Sequence, residues 1–345
     1  MPTFREIDIT GDAHERGVSH GEQLRSEISE ARVFYRDIFN LPDDVVLGQA
    51  AHFQPVIAAF NPDYADEING IAEGSGQDPL WILALNARTE ILALNKLTTP
   101  NECTSICFPG PPILGQTWDW GQPLEAICAV MRISRPDGHV IRMLTEPGII
   151  GKIGMNNAGL GVCLNILTLG SRLNGVPIHV MLRAILDCQS TDEATAIIER
   201  APLGKSSNVM VADRTGNCFD REFAGDETLT PDAIGGNLVH TNHYLGKEIN
   251  APDDPLFFNS HARLNRATER VSQTTEHTAR GMMDILSDRS HDEFPIYRPY
   301  VPDDILQNLG TVASIVMDFG AQELHISKGN EPDAKFKSYT VKFSS

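Results

Sequence analysis

Residues 98–107 read TTPNECTSIC, and they divide the chain. Before them, apolar residues recur at helical spacing. After them come short runs rich in β-branched residues, punctuated by glycine and proline. The proline, threonines, asparagine and serine at the divide read as a loop or a chain junction. A thiol, Cys103, stands at that seam beside Asn101, Glu102 and Thr104, whereas a structural cysteine normally sits inside an apolar element.

Upstream of the seam, HERGVSHGEQLRSEISEARVFYRDIFN predicts a helix over 14–40, followed by helices over 45–60 and 63–72. The glycines of GIAEGSG can close the third with a left-handed cap. PLWILALNARTEILALNKL, 79–97, is the most regular: its proline suits a first turn, and Leu80, Ala84, Ala87, Ile91 and Leu94 share one face. Downstream, ILGQTWDW, ICAVMRIS, HVIRMLTE and IGKIGMNNAGLGVCLNIL predict strands. Helices follow over 178–188 and 191–200, the second capped by Thr191 with Ala194 and Ile197 inward. NVMVADRTGNCFDREFA predicts a hairpin with its turn at TGN, and NLVHTNHYL a further strand. Helices over 261–271 and 278–286 precede a terminal antiparallel set in VASIVMDFGAQELHIS and FKSYTVKF. This order predicts an α+β fold, helices packed on antiparallel sheets in one extended domain.

Composition bounds the function. The 345 residues are 41% hydrophobic and 21% charged, ordinary globular material. A net charge of −18 without any Lys/Arg cluster argues against nucleic-acid or anionic-membrane partners. There is no apolar run of signal-peptide or membrane-span length, so a cytoplasmic location is expected. The six cysteines lack CxxC spacing, which fits neither a zinc knuckle nor a disulfide framework. Cys128, Cys163 and Cys188 lie in apolar runs and read as buried small hydrophobes. GxGxxG and P-loop patterns are absent, so nucleotide-cofactor chemistry is not expected.

Cys103 admits three readings. It could be a structural thiol, which its polar neighbours disfavour. It could be a cysteine nucleophile served by a histidine base, His240 or His243 of VHTNH. A metal site on those histidines lacks a third ligand at recognisable spacing. Third, if the bond between Glu102 and Cys103 is cut, Cys103 gains an α-amine of ordinary pKa roughly 7.7–8.0 beside its own thiol, and no separate base is needed. The thiol itself could make the cut through an N-to-S shift, leaving segments of 102 and 243 residues.

HERGVSHG, LNARTE, NECTSIC, GQTWDW, TEPGIIGKIGMNNAGLGVCLNIL, GVPIHVMLRAIL and VHTNH, in that order, run through nearly the whole chain. With these blocks the sequence resembles the acyl-coenzyme A:6-aminopenicillanic acid acyltransferase family of N-terminal-nucleophile hydrolases. The resemblance implies a four-layer αββα sandwich of two antiparallel sheets, made as a precursor. Residues 1–102 would be the helical segment and 103–345 the strand-rich catalytic one. It implies Cys103 as nucleophile after self-cleavage, and Asp119 in WDW as the carboxylate that orients the new amine. Asn242 in HTNH would donate to the oxyanion, Ser105 would assist the thiol or the cleavage intermediate, and Arg298 in PIYRPY would contact a substrate carboxylate. Plainer readings stand beside these: a strand-edge carboxylate for Asp119, a strand-end hydrogen bonder between exposed histidines for Asn242, a strand-starting serine for Ser105, and an internal salt bridge for Arg298.

Two departures accompany the resemblance. Glu102 stands where the fungal penicillin-forming member has glycine, and QNLGTVASIVMDF lacks an arginine that enzyme carries nearby. The expected activity is hydrolysis or acyl transfer at a small N-acyl amine or N-acyl amino acid, with no metal or organic cofactor. The alternatives are penicillin-type acyl transfer with acyl-CoA as co-substrate, β-alanyl-amine hydrolysis, and an uncleaved small-molecule binding protein.

Overall fold

A computed structural model describes residues 2–95, 103–167, 174–201, 205–247, 249, 257–333 and 335–344. The chain begins with β1 (Arg5–Thr10), then α1 (Ala13–Gln23), α2 (Arg25–Phe39), α3 (Asp43–Phe60), α4 (Pro62–Ser75), α5 (Pro79–Asn86) and α6 (Arg88–Leu94). Past the seam come β2 (Thr104–Phe108), β3 (Ile113–Gly121), α7 (Pro123–Ile127), β4 (Ala129–Ser134), β5 (Val140–Thr145), β6 (Ile153–Asn156) and β7 (Leu160–Ile166). Next are α8 (Ile178–Leu186), α9 (Thr191–Arg200), β8 (Lys205–Asp213), β9 (Cys218–Gly225), β10 (Glu227–Leu229) and β11 (Leu238–His240). The last elements are α10 (Phe258–Gln273), α11 (Ala279–Leu286), β12 (Val301–Asp303), β13 (Gln307–Asp318), β14 (Glu323–Lys328) and β15 (Phe336–Thr340).

Two predicted helices are broken. The one over 14–40 divides at Leu24 (φ −117°, ψ 29°) and the one over 79–97 at Ala87 (φ −108°, ψ 17°). Leu24 and Ala87 are themselves fully buried, so the apolar spacing runs through each break and conceals it. The second prediction ends outside the described residues. Helix α9 is capped by Ser190, whose hydroxyl accepts from Glu193 N–H, rather than by Thr191, and it turns Ile198 inward rather than Ile197.

The strands form an eight-stranded sheet, β1-β4-β5-β6-β7-β8-β9-β10, and a seven-stranded one, β11-β2-β3-β13-β14-β15 with β12 beside β13. Strand β1 corrects the expectation of purely antiparallel sheets and of a purely helical leading segment: it joins β4 in parallel, with Arg5 opposite Ala129 and Thr10 opposite Ser134. Only Ile7 and Ile9 point inward along it, too short an alternation to register against the charges around it.

Helices α10 and α11 cover the outer face of the seven-stranded sheet, where Ala267, Val271, Met282 and Leu286 meet Ile106, Phe108, Ile113 and Val316. Helices α8 and α9 contact β6, β7 and β8 of the other sheet. The two sheets meet where β2, β3 and β13 face β6, β7 and β8. The layers are therefore helix, sheet, sheet, helix. One hydrophobic cluster spans Phe4 to Val341, so the segments before and after Cys103 share a core.

The HERGVSHG block has a packing cause. Glycines 17 and 21 of α1 lie against Gly70 and Gly74 of α4 so closely that a Cβ at Gly17 would fall 2.2 Å from Glu67 O, and one at Gly74 2.1 Å from Val18 O. Arg16 of the same block reaches Glu67 at 2.8 Å, and Arg183 of α8 meets the other oxygen at 2.7 Å. Among the described residues no helix is long and apolar enough to cross a membrane.

Candidate active site

Strand β2 is held on both sides, by β3 with Thr104 opposite Thr117, and by β11 with His240 opposite Ser105. Cys103 is the residue just before it and is buried. Its N–H donates to Asn242 Oδ1 at 2.7 Å. Asn242 lies two residues past the end of β11, where its own N–H donates to Ser260 Oγ at 2.7 Å. Two donors converge on Asn242 Oδ1, Cys103 N and Arg263 Nη2 at 2.9 Å. The carbonyl oxygen must therefore face the Cys103 nitrogen, and the amide nitrogen points to Ile166 O of β7 at 2.9 Å. One side chain thus ties the end of the opposite sheet to the start of β2.

Arg263 is the site residue that sequence reasoning missed. It is fully buried on α10. Besides Asn242 its guanidinium donates to Cys103 O at 2.5 Å, Thr104 Oγ1 at 3.0 Å and Asn259 Oδ1 at 2.6 Å. A flexible ammonium could not fill such a fork of acceptors at once. The signal was present: Asn259, Arg263, Ala267 and Val271 recur every four residues along the buried face of α10, and an arginine in such a stripe must have partners.

Asp119 points to the outer face of the seven-stranded sheet, two residues beyond the Thr104–Thr117 pair. It is fully buried. Thr311 Oγ1 donates to Oδ1 at 2.7 Å, while Oδ2 has no hydrogen-bond donor among the described residues. Burial pushes its carboxyl up to about 6, against the pull of the Arg298 and Arg263 cations. Arg298 is itself buried, and its backbone is tied to Thr311 by Arg298 N to Thr311 Oγ1 at 2.8 Å and Thr311 N to Arg298 O at 3.1 Å. Desolvation lowers its pKa and the neighbouring Asp119 and Asp303 raise it. Arg298 therefore stands as electrostatic partner to Asp119, which brings the two predicted residues together.

Ser105 faces the opposite way, into the space between the sheets, and donates to Asn165 Oδ1 at 2.7 Å. The histidines expected as an exposed pair are both buried. His240 faces two acceptors, Glu222 Oε1 and Thr241 O, each at 2.8 Å. Both ring nitrogens must donate, so His240 is an imidazolium without a lone pair to offer. Burial opposes that charge, and Asp220 and Glu222 outweigh it, raising the pKa. His243 is the opposite case: burial, then the neighbouring His261, His240 and Arg263, hold it down to about 3. Its Nδ1 lies 2.7 Å from Ser260 Oγ. Glu102 lies outside the described residues, so the predicted junction is approached from the Cys103 side alone. No metal-binding group of three or more His, Cys, Asp or Glu occurs among the described residues.

Helix–sheet–sheet–helix layering around two packed sheets, with Cys103 just before a central strand, is the α+β architecture of the N-terminal-nucleophile hydrolase fold. The family model of acyl-coenzyme A:6-aminopenicillanic acid acyl-transferase matches residues 109–332. The chain belongs to that family. It is similar to the acyl-coenzyme A:6-aminopenicillanic-acid-acyltransferase 40 kDa form of Emericella nidulans, 28% identical over 96% of this chain and 94% of the relative. Among solved structures, the Caenorhabditis elegans N-acylethanolamine-hydrolyzing acid amidase ortholog aligns over 63% of this chain and 93% of its own, at 18% identity and TM-score 0.47. Penicillin V acylase from Agrobacterium tumefaciens aligns over 68% and 85%, at 11% identity and TM-score 0.43.

Proposed function

We propose that the chain is a cysteine amidohydrolase or acyltransferase, activated by self-cleavage between Glu102 and Cys103, that acts on small N-acyl amines or N-acyl amino acids. The observation that carries this reading is the seating of the Cys103 nitrogen: a buried N–H is gripped by Asn242, which is itself locked by Arg263. Such a grip has little purpose for an ordinary peptide nitrogen at a strand end, and a clear one for an amine that must be aimed at its own thiol.

In this reading the amine takes the thiol proton, the thiolate adds to the acyl carbonyl, and the ammonium returns the proton to the departing amine. The thioester then passes its acyl group to water or to a second amine, again with the Cys103 amine as base. Asp119, with an oxygen lacking a donor, is the acceptor toward which the new ammonium can turn. The tetrahedral oxyanion would be met by the Asn242 amide nitrogen and a backbone N–H, each such donor worth ~10²–10³ in rate. That role asks Asn242 Nδ2 to turn from Ile166 O, the partner it has here. Ser105, held by Asn165, would steady the strand during the N-to-S shift. The cycle is proposed to run without metal or organic cofactor, and an acyl-CoA, where used, is a co-substrate.

His240 gives the histidine-assisted mechanism little footing, since both its nitrogens are engaged. Purified protein should turn over part of a panel of N-acyl amines and N-acyl amino acids, and Cys103→Ala should lower that turnover by roughly 10⁵–10⁶. Equal turnover by the variant would remove Cys103 from the chemistry.

A further inference from the structure

Strand β13 presents Thr311 and Ser314 to the same side of its sheet although they are three residues apart, a spacing that turns side chains to opposite sides of an unbroken strand. Their partners on β3 are only two apart: Asp119 lies opposite Thr311, and Thr117 opposite Ser314. All four therefore share the outer face. One extra residue, Val312, makes up the difference as a β-bulge between Thr311 and Ala313. Without that residue Thr311 would turn toward the other sheet and away from Asp119. The bulge is tied down on both sides. Val312 O accepts from Gly329 N at 2.8 Å, and Thr311 N leaves the β3 ladder to donate to Arg298 O at 3.1 Å. Arg298 O also accepts from Asn330 Nδ2 at 3.0 Å, and Gly329 O from Tyr297 OH at 2.8 Å.

The Thr311 hydroxyl delivered by this bulge has a fixed orientation. Its oxygen accepts from Arg298 N at 2.8 Å, and a backbone N–H can only donate. The single hydroxyl proton therefore goes to Asp119 Oδ1, 2.7 Å away. Thr311 and Asp119 are both fully buried, so no water competes for either end. Thr117, whose own oxygen accepts from Thr104 N at 3.2 Å, is the weaker of the two hydroxyls acting on the Asp119 carboxyl. Thr311 thus occupies Oδ1 and fixes the rotation of the carboxyl. Oδ2 is the oxygen left without a donor among the described residues.

We propose that Thr311 is a positioning residue of the site: carried to Asp119 by the Val312 bulge, it takes one carboxylate oxygen and so aims the other at the Cys103 amine. This role rests on the proposed reading of Cys103 as a nucleophile whose new ammonium turns to Asp119. It gives the bulge a purpose in the site, and it joins the backbone of Arg298 to the carboxylate through one hydroxyl.

The test is a double-substitution cycle, read as kcat and KM per folded molecule on the panel compound that the wild type turns over fastest. Thr311→Val keeps the side-chain shape and removes the hydroxyl; kcat is expected to fall roughly 10–100-fold, the range of a hydrogen bond to a charged group, with KM little changed. Thr311→Ser restores the hydroxyl and should restore kcat. In Asp119→Asn protein the same Thr311→Val change should cost nothing further, because its effect runs through the carboxylate. Should Thr311→Val fail to fold, Thr311→Cys, near in size and only a weak donor, replaces it with the same expectations. Where no panel compound is turned over, the rate at which iodoacetamide alkylates Cys103 carries the same cycle. Wild-type kcat in Thr311→Val, no recovery with serine, or an equal loss in the Asp119→Asn background overturns the role. The underlying reading fails separately: Cys103→Ala would then keep wild-type turnover, whereas an inactive Cys103→Ala with a flat Thr311 cycle removes the positioning role alone.

Discussion

Glu146 and Asp119 are both fully buried carboxylates, and they have opposite surroundings. Glu146, just past β5, accepts from Arg88 Nη2 at 2.6 Å and from Lys152 Nζ and Tyr35 OH. Arg88 lies over the rings of Tyr35 and Trp120, and Lys152 lies 3.6 Å from the Trp118 ring centroid. Burial raises the Glu146 pKa, but the two cations more than reverse it and leave it far below the usual carboxylate range. Asp119 has the hydroxyls of Thr311 and Thr117 and two arginines at a distance, and it sits at about 6. The saturated carboxylate is a clamp joining the helices before the seam to the strands after it. The unsaturated one lies two residues past the Thr117 that pairs with Thr104, with one oxygen lacking a donor among the described residues. Burial is equal in the two places, so hydrogen-bond completion is what distinguishes them, and in the proposed mechanism it is what would separate a structural charge from a working one.

The comparison can be broken most sharply in activity. Asp119→Asn should lower kcat/KM by roughly 10²–10⁴, the range of a positioned acid–base group, while the folded protein persists in thermal melts. A fall of less than tenfold would make Asp119 a second clamp. Glu146→Gln is the mirror case: it leaves Arg88 and Lys152 buried without their counter-charge and should cost about 3–5 kcal/mol of stability in denaturant titration, with loss of activity only as far as the protein unfolds. Arg263→Lys tests the grip on Cys103. One ammonium cannot hold Cys103 O, Thr104 and Asn242 together, and kcat should drop on the order of 10²-fold with KM little changed.

The smallest effect is in pH. The folded pKa of Asp119 is raised, so its contribution to stability is present below about 4 and is lost as pH rises through about 6. The folded pKa of Glu146 is depressed, so its contribution is present above about 4.5 and is lost as pH falls below that. Urea midpoints across pH 3–7 should therefore show a maximum between those limits. Asp119→Asn should flatten the neutral side of that curve and Glu146→Gln the acid side.

Much of this arrangement was legible in the sequence. Helices before the seam, strands after it, and the terminal antiparallel set all follow from spacing and turn residues, because each element buries one face at its own period. Cys103 announced itself by standing among polar neighbours, and Asp119, Asn242 and Arg298 by their places in family-like blocks. What escaped has physical reasons. Leu24 and Ala87 break helices without breaking the apolar stripe, β1 offers only two inward residues, and Arg263 was hidden among the arginines of α10. The burial of His240 and His243 was invisible because it depends on Glu222 and Ser260, which reach them only through the fold. Thr311 meets Asp119 solely through the bulge at Val312, which single-strand reading does not supply.

The most direct test of the central claim is the intact mass of purified, active protein. Two chains, residues 1–102 and 103–345, with Cys103 as the first residue of the second and the Cys103→Ala protein remaining whole, is the predicted result. A fully active preparation in which every molecule is a single uncut chain would contradict it.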